Sequence, residues 1–213
     1  MRVFIGYDAR QPVAFNVLAH SIMSRASKPV SITRLDISQL PITRQGLTEF
    51  TFTRYLVPYL CNYEGVALFL DADMLCLTDI SDLDLSEDQF QGNSVAVVKE
   101  GVERFEWPSM MLFNNPLCKS LTPEFIEQGA PQKLEWGKVA ALPKDYNHIV
   151  PYSGKNPNAK IVHFTQGIPC FKETEDCEYS KQWRDELKES VSSCTWQDIM
   201  GKSVHKERMI KSA

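Results

Sequence analysis

The chain opens on a short apolar run, Val3 to Ile5, stopped by Gly6, which is the pattern of a buried strand. Pro12 then stands where a helix begins, and Ala14, Phe15, Leu18 and Ile22 follow at helical spacing. This predicts an amphipathic helix from Pro12 to about Arg25. Lys28-Pro29 ends it, and Val30, Ile32 and Leu35 predict a second strand. Residues 48–61 predict a helix, with Phe52, Tyr55, Leu56 and Leu60 on related faces and Pro58 kinking or shortening it. After Gly65, the continuous run Val66-Ala67-Leu68-Phe69-Leu70 predicts a strand buried on both faces. Ser94 to Val98, Ser109 to Phe113 and Ile161 to His163 read as further strands, and residues 179–192 as a C-terminal helix. An opening of strand, helix, strand, helix, strand predicts an α/β domain with a largely parallel sheet. Such sheets bind ligands at the carboxyl ends of their strands. Polar groups fall there three times: Tyr7-Asp8 after the first strand, Asp71-Ala72-Asp73 after the third, and His163 at the late strand.

At 213 residues the chain suits one domain, read as residues 1–195, followed by a polar and basic tail, 196–213, expected to fray. A formal net charge of −4 disfavours nucleic acid as a partner, since that needs a basic surface. It leaves room for an anionic ligand if a cation supplies the missing positive charge. The N-terminal apolar run is too short for a signal-peptide core, and no stretch approaches a membrane span, so the expectation is a cytoplasmic protein. Cys61, Cys76, Cys118, Cys170, Cys177 and Cys194 include no CxxC pair, which argues against a zinc ribbon or a thioredoxin-like centre. Cys170 and Cys177 are close enough in sequence for a local disulfide, and a reducing compartment favours free thiols.

The chemistry concentrates at Asp71 and Asp73. In an extended chain, residues i and i+2 point to one side, so both carboxylates are expected to face one spot while Ala72 faces away. Two carboxylates beside a buried strand end repel unless a cation offsets them, and Mg²⁺ or Mn²⁺, which prefer oxygen ligands, fits that need. The plainer alternative is that Asp71 caps a turn and Asp73 is solvated; Asp79 and Asp82 are read that way, as cap and turn residues. His163 closes an apolar strand and is followed by Gly167 and Pro169. A neutral imidazole can complete a manganese sphere, and a glycine lets its N–H approach a phosphate oxygen. Taken alone, the histidine reads as a satisfied structural residue, since most histidines are not ligands; its pairing with Asp71 and Asp73 reverses that only through the resemblance given next.

The block from Thr53-Arg54-Tyr55-Leu56 through Leu68-Phe69-Leu70-Asp71-Ala72-Asp73 to Asp79-Ile80-Ser81-Asp82-Leu83 resembles glycosyltransferase family 8 and its bacterial relatives, and His163 with Gly167 is similar to that family's late histidine-glycine motif. The resemblance covers roughly residues 1–172 and is specific in the Arg54 to Leu83 block. It implies the GT-A fold, a single Rossmann-like domain with a mixed, mainly parallel sheet. It also implies Asp71, Asp73 and His163 on Mn²⁺ (or Mg²⁺) bridging the diphosphate of a UDP-sugar. By the same resemblance Tyr7 and Asp8 lie near the base and ribose, Arg54 faces the donor, Ala72 and Gly167 line the nucleotide site, and transfer to a glycan-type acceptor proceeds with retention. Asn114, after a strand, matches an asparagine near the donor sugar, and Glu135 is the candidate acidic residue beside it; Leu142-Pro143 to Asn147 looks like a late family segment. The motif departs from the family's in placing Gly167 one residue later and in replacing the lysine-bearing part with Ile168-Pro169-Cys170, which leaves Lys172 as the candidate phosphate contact.

Three other readings compete. A haloacid-dehalogenase-type phosphohydrolase also carries Asp-x-Asp after an apolar strand, with the first Asp as nucleophile, but has it near the N-terminus. A non-catalytic nucleotide-sugar binding module would share the site without the turnover. A nucleotidyltransferase needs an N-terminal Gly-rich loop that this chain lacks. Trp107, Trp136 and Trp183 offer either acceptor stacking or, the commoner fate, core packing.

Overall fold

A computed structural model describes residues 1–191, so the 195/196 boundary and the basic tail lie outside the described residues. Among the described residues the main sheet has six strands: β1 (Arg2–Gly6), β2 (Ser31–Leu35), β3 (Val66–Leu70), β5 (Val95–Val98), β6 (Met110–Asn114) and β7 (Val139–Leu142), in the order β2-β1-β3-β6-β5-β7. Only β6 runs against the rest of this sheet. The mixed, mainly parallel sheet expected from the sequence is what forms. A second sheet of three short strands, β4 (Met74–Cys76), β9 (Ile161–His163) and β8 (His148–Ile149), in the order β4-β9-β8, adjoins it.

Each element follows from its residues. β3 pairs on both edges, with β1 and β6, and Ala67 to Leu70 are wholly buried, so an unbroken apolar run is what the position requires. Helix α1 (Pro12–Arg25) starts on Pro12 as predicted, carries the crossover from β1 to β2, and buries Ala14, Val17, Leu18, Ser21 and Ile22. The predicted helix over 48–61 is shorter than expected: a 3₁₀ turn, Thr53–Leu56, leads into a one-turn helix α2 (Val57–Leu60) that carries Pro58 near its start. Pro58 lacks a donor and is tolerated only where a helix begins, so regular helix starts there rather than at Thr48. Helix α3 (Pro123–Gln128) is capped by Thr122, whose side chain accepts from Phe125 N–H. β4, β7 and β8 were not anticipated, being short and without clear alternation.

Two consequences of the topology place the site. β1 and β3 are parallel neighbours, with Ile5 opposite Leu70, so the segments starting at Tyr7 and at Asp71 leave the sheet side by side. Gly6 makes this close: a Cβ there would stand 2.5 Å from Phe50 Cγ, so only glycine admits the Phe50 ring against the end of β1. The antiparallel pairing of β4 with β9 then sets Met74 opposite His163, and Phe164 N–H donates to Asp73 O at 2.9 Å.

Helix α4 (Ser180–Ser190) packs on α1 and buries Trp183 completely. Between the two helices lies Glu186, 3% exposed, ion-paired with His20 and with Arg25 at 2.8 Å. In turn α1 holds β4, because buried Ser21 Oγ accepts the Cys76 N–H at 3.1 Å. Cys61, Cys76, Cys118, Cys170 and Cys177 are free, as expected. Burial alone would push the Glu186 carboxyl up, but Arg25 and His20 outweigh it and hold it below the usual glutamate range. A depressed folded value contributes stability above the ordinary glutamate pKa and loses it as pH falls through the depressed one. Glu186→Gln should therefore cost about 2 kcal/mol at neutral pH, less than a fully buried pair because its partners are a third exposed, and flatten the acid limb of stability against pH. Urea denaturation across pH 3 to 7 measures both.

Candidate metal and diphosphate site

The carboxylates of Asp71 and Asp73 and the imidazole of His163 converge, with one ligand atom of each lying within 4.8 Å of the others. The convergence does not come from a pleat. Asp71 prolongs the β3 ladder, its N–H donating to Ser109 O at 2.9 Å, but Ala72 and Asp73 form a turn into β4. Ala72 does not face away either: it is buried and lines the same cavity as Asp73. The His163 Nε2 stands 3.4 Å from Asp73 Oδ1.

Asp71 is buried, and its partner is Arg54. Nη2 lies 2.9 Å from Oδ1 and Nη1 3.4 Å from Oδ2. The guanidinium also donates to Pro108 O at 2.7 Å and Phe50 O at 3.3 Å, and sits 5.1 Å from the centre of the Phe69 ring. Arg54 is thus a buried counter-charge for Asp71 rather than a group turned toward a donor, as the resemblance implied. Even so, burial pushes the Asp71 carboxyl up to about 7, against the pull of Arg54, with Asp73 adding to the push. For His163, burial would push the imidazole down, but Asp73, Asp71 and Glu106 outweigh it and hold it above the usual histidine range. Among the described residues, Asp73 Oδ1 and His163 Nδ1 are buried without a hydrogen-bond partner, and Asp71 Oδ1 has only its ion pair with Arg54. Two carboxylates and an imidazole with one ligand atom each within 4.8 Å of one another, and negative charge in excess, fit a hard divalent cation.

Beside this cluster lies a cavity of about 260 Å³ whose walls include Asp8, Thr48, Phe50, Ala72, Asp73, Gln166, Gly167 and Phe171. Asp8 enters it from the end of β1; the Arg10 side chain hydrogen-bonds its carboxylate and holds it below the usual aspartate range. Tyr7 stands edge-on to Phe15, with its ring 4.4 Å from the Arg34 guanidinium carbon. Gly167 has φ +123°, a conformation reserved for glycine, and its N–H donates to Phe164 O at 2.8 Å, so the amide closes a turn instead of pointing at a ligand. Lys172 lies in an adjoining cavity of about 430 Å³ that shares Gln166 and Gly167 with the first.

Two sequence candidates fall elsewhere. Asn114 pairs with Val66 at the far end of β3, four residues, or about 13 Å at ~3.3 Å per residue, from Leu70. Because β6 is antiparallel, the residues it brings to the carboxyl end of β3 come from its start, Ser109 and Met110, and the asparagine at its finish is carried away. Glu135 lines a different cavity, of about 660 Å³, with Arg104, Phe105, Pro108 and Lys133. Conversely Asn147, noted in the late Leu-Pro segment, donates to Ser109 Oγ at 2.9 Å, and the Ser109 carbonyl in turn accepts the Asp71 N–H. Glu106 was not anticipated. It sits in the 3₁₀ turn Arg104–Ser109 that feeds β6, bonded to Thr165 Oγ1 at 2.7 Å and within 4.0 Å of His163. Its only sequence signal was a place just ahead of a strand whose direction the sequence did not disclose. Trp183 and Trp136 are packing residues, the latter stacked on Phe113 at 6.2 Å, while Trp107 is half-buried beside Lys99 and Arg104.

The sheet and the site at the carboxyl ends of β1 and β3 define a GT-A fold, and solved structures bear this out. The galactosyltransferase LgtC, in complex with donor and acceptor sugar analogues, superposes with a TM-score of 0.62 at 12% identity over 93% of this chain and 99% of that one. The glycosyltransferase GlyE of Streptococcus pneumoniae TIGR4 gives 0.61 at 17% identity, over 90% of this chain and 60% of that one. No protein-family model matches the sequence. Protein CDI of Arabidopsis thaliana is 35% identical over 225 aligned positions, 88% of this chain and 86% of that protein, and this chain belongs to its family.

Two variants test the site's construction. Arg54→Met leaves Asp71 buried without its counter-charge and should cost about 3 kcal/mol in urea unfolding, most of which Arg54→Met with Asp71→Leu restores. Gly167→Ala forces a side chain into a left-handed conformation with its Cβ 3.0 Å from Phe171 and should cost about 1–3 kcal/mol by the same measurement.

Proposed function

We propose that this protein is a metal-dependent glycosyltransferase, similar to family 8, that moves a sugar from a UDP-sugar to a glycan-type acceptor with retention of anomeric configuration. The observation that carries the proposal is the convergence of Asp71, Asp73 and His163, short of positive charge, beside a cavity that Asp73, Asp8 and Ala72 line. The fold shared with LgtC and GlyE supports it.

In this reading Asp71, Asp73 and His163 hold Mn²⁺ or Mg²⁺. The chemistry such a cation supplies when bound is Lewis-acid stabilisation of the charge that grows on the departing diphosphate. The rest falls to the chain's own groups. Arg54 offsets part of the cost of the buried Asp71 charge and fixes the carboxylate in place. Asp8 and Tyr7, at the end of β1, take the ribose and base. Gly167 gives the turn after β9 a conformation that leaves the cavity open on that side, and Lys172 adds positive charge from the adjoining one. The acceptor hydroxyl enters on the face the diphosphate leaves: its oxygen bonds to the anomeric carbon, the bond from that carbon to the phosphate oxygen breaks, and the hydroxyl proton passes to the departing phosphate. The phosphohydrolase alternative is disfavoured by the pairing of Asp71 with Arg54, because a nucleophile must be free to reach its substrate.

Calorimetric titration of UDP tests the proposal. Binding should require Mn²⁺ and weaken more than about 100-fold, ~2.7 kcal/mol, in Asp73→Ala. Absence of UDP binding with Mn²⁺ present would sink it, and binding with no turnover of any UDP-sugar would leave the non-catalytic module instead.

A further inference from the structure

Glu106 belongs to neither the convergent triad nor the walls of the cavity beside it, yet its side chain is only 14% exposed. Both of its carboxylate oxygens have a direction. Oε1 accepts from Thr165 Oγ1 at 2.7 Å, and Oε2 stands 4.0 Å from His163 Nδ1. The other ring nitrogen, Nε2, faces Asp73. His163 therefore lies between two carboxylates, one for each nitrogen, and its Nδ1 is buried without a hydrogen-bond partner among the described residues. An imidazole that gives one nitrogen to a cation keeps its proton on the other, and a buried proton of that kind needs an acceptor.

The anchoring of Glu106 suits that task. Its turn is pinned by its own N–H, which donates to Glu103 O at 2.9 Å, and by its carbonyl, which accepts from Ser109 Oγ at 2.7 Å. Thr165 follows His163 by two residues, so one short segment carries both the ring and the hydroxyl that aims the carboxylate at it. A shift of about 1 Å, within reach of side-chain torsions, closes the remaining gap to hydrogen-bond length.

We infer that Glu106 is a positioning residue for His163, accepting the Nδ1 proton and so fixing the tautomer that presents Nε2 to a divalent cation. The inference rests on the metal site proposed above. It also suits the charge balance of the cation-bound site: with Asp71 ionised and His163 neutral, the carboxylates of Asp71, Asp73 and Glu106 outnumber the guanidinium of Arg54 by two negative charges, which one divalent cation cancels.

The test measures binding of Mn²⁺ alone by calorimetry, alongside thermal unfolding in the absence of metal, for wild type, Asp73→Ala, Glu106→Ala and Glu106→Gln. Affinity should fall about 10- to 100-fold in Glu106→Ala. It should fall less in Glu106→Gln, whose amide oxygen still accepts the Nδ1 proton. The metal-free melting temperature should stay level or rise in both variants, because a repelling carboxylate has gone. A lowered metal-free melting temperature with unchanged Mn²⁺ affinity would make Glu106 structural and overturn the inference. Equal losses in the two variants would reduce it to bulk charge and overturn the positioning role. Mn²⁺ binding that Asp73→Ala abolishes and Glu106→Ala leaves intact would overturn it while the metal site stands. Failure of wild type to bind Mn²⁺ would remove both.

Discussion

The pairing of Arg54 with Asp71 holds the site together. A carboxylate at the end of a wholly buried strand has lost its water, and a guanidinium is the side chain best suited to replace it, being planar, permanently charged and able to donate in several directions. Here it donates at once to Asp71, to Pro108 O and to Phe50 O, and lies near the Phe69 ring. The end of β3, the turn leading into β6 and the 3₁₀ turn before α2 are thereby fastened to one group. That group is also insufficient. One positive charge stands against Asp71, Asp73 and Glu106, and burial still drives the Asp71 carboxyl up to about 7. A site built with a deficit of positive charge around a buried carboxylate is disposed to take up a cation.

What keeps the three donor groups converged is remote from them. Asp73 sits in the turn before β4, β4 pairs with β9, and β9 delivers His163. The other side of β4 is tied to α1 through Ser21, and α1 is pressed by α4 through Trp183 and the buried Glu186. The small second sheet has only short strands, and its position depends on these helices as much as on its own hydrogen bonds. An interaction on the far side of α1 therefore contributes to holding Asp73 near His163.

Kinship and likeness carry different weight. At 35% identity over most of both chains, this protein and Protein CDI belong to one family. At 12% and 17% identity, LgtC and GlyE share the architecture, and an architecture hosts many activities. The proposed glycosyl transfer therefore rests on the chain's own groups: where their charges lie and which cavity they border.

Much of this was legible in the residues. The unbroken run Val66 to Leu70 announced a strand buried on both faces, Pro12 the start of α1, and the carboxylates of Asp71 and Asp73 a charge problem in need of a partner, because these signals are local: burial, backbone restriction and repulsion act between neighbours in the chain. The tertiary structure decided what depends on pairing. Strand direction is invisible in composition and periodicity, and the reversal of β6 sent Asn114 to the far end of the sheet while bringing Glu106 and Ser109 to the near one. Arg54 looked like a group facing a ligand until the fold showed that it answers a buried charge. Ala72 and Asp73 turned out to form a turn because β4 has to double back against β9. The sequence by itself determined which groups had to find partners; the packing of distant segments determined which partners they found, since a buried charge takes the nearest compensating group in space, whatever its distance along the chain.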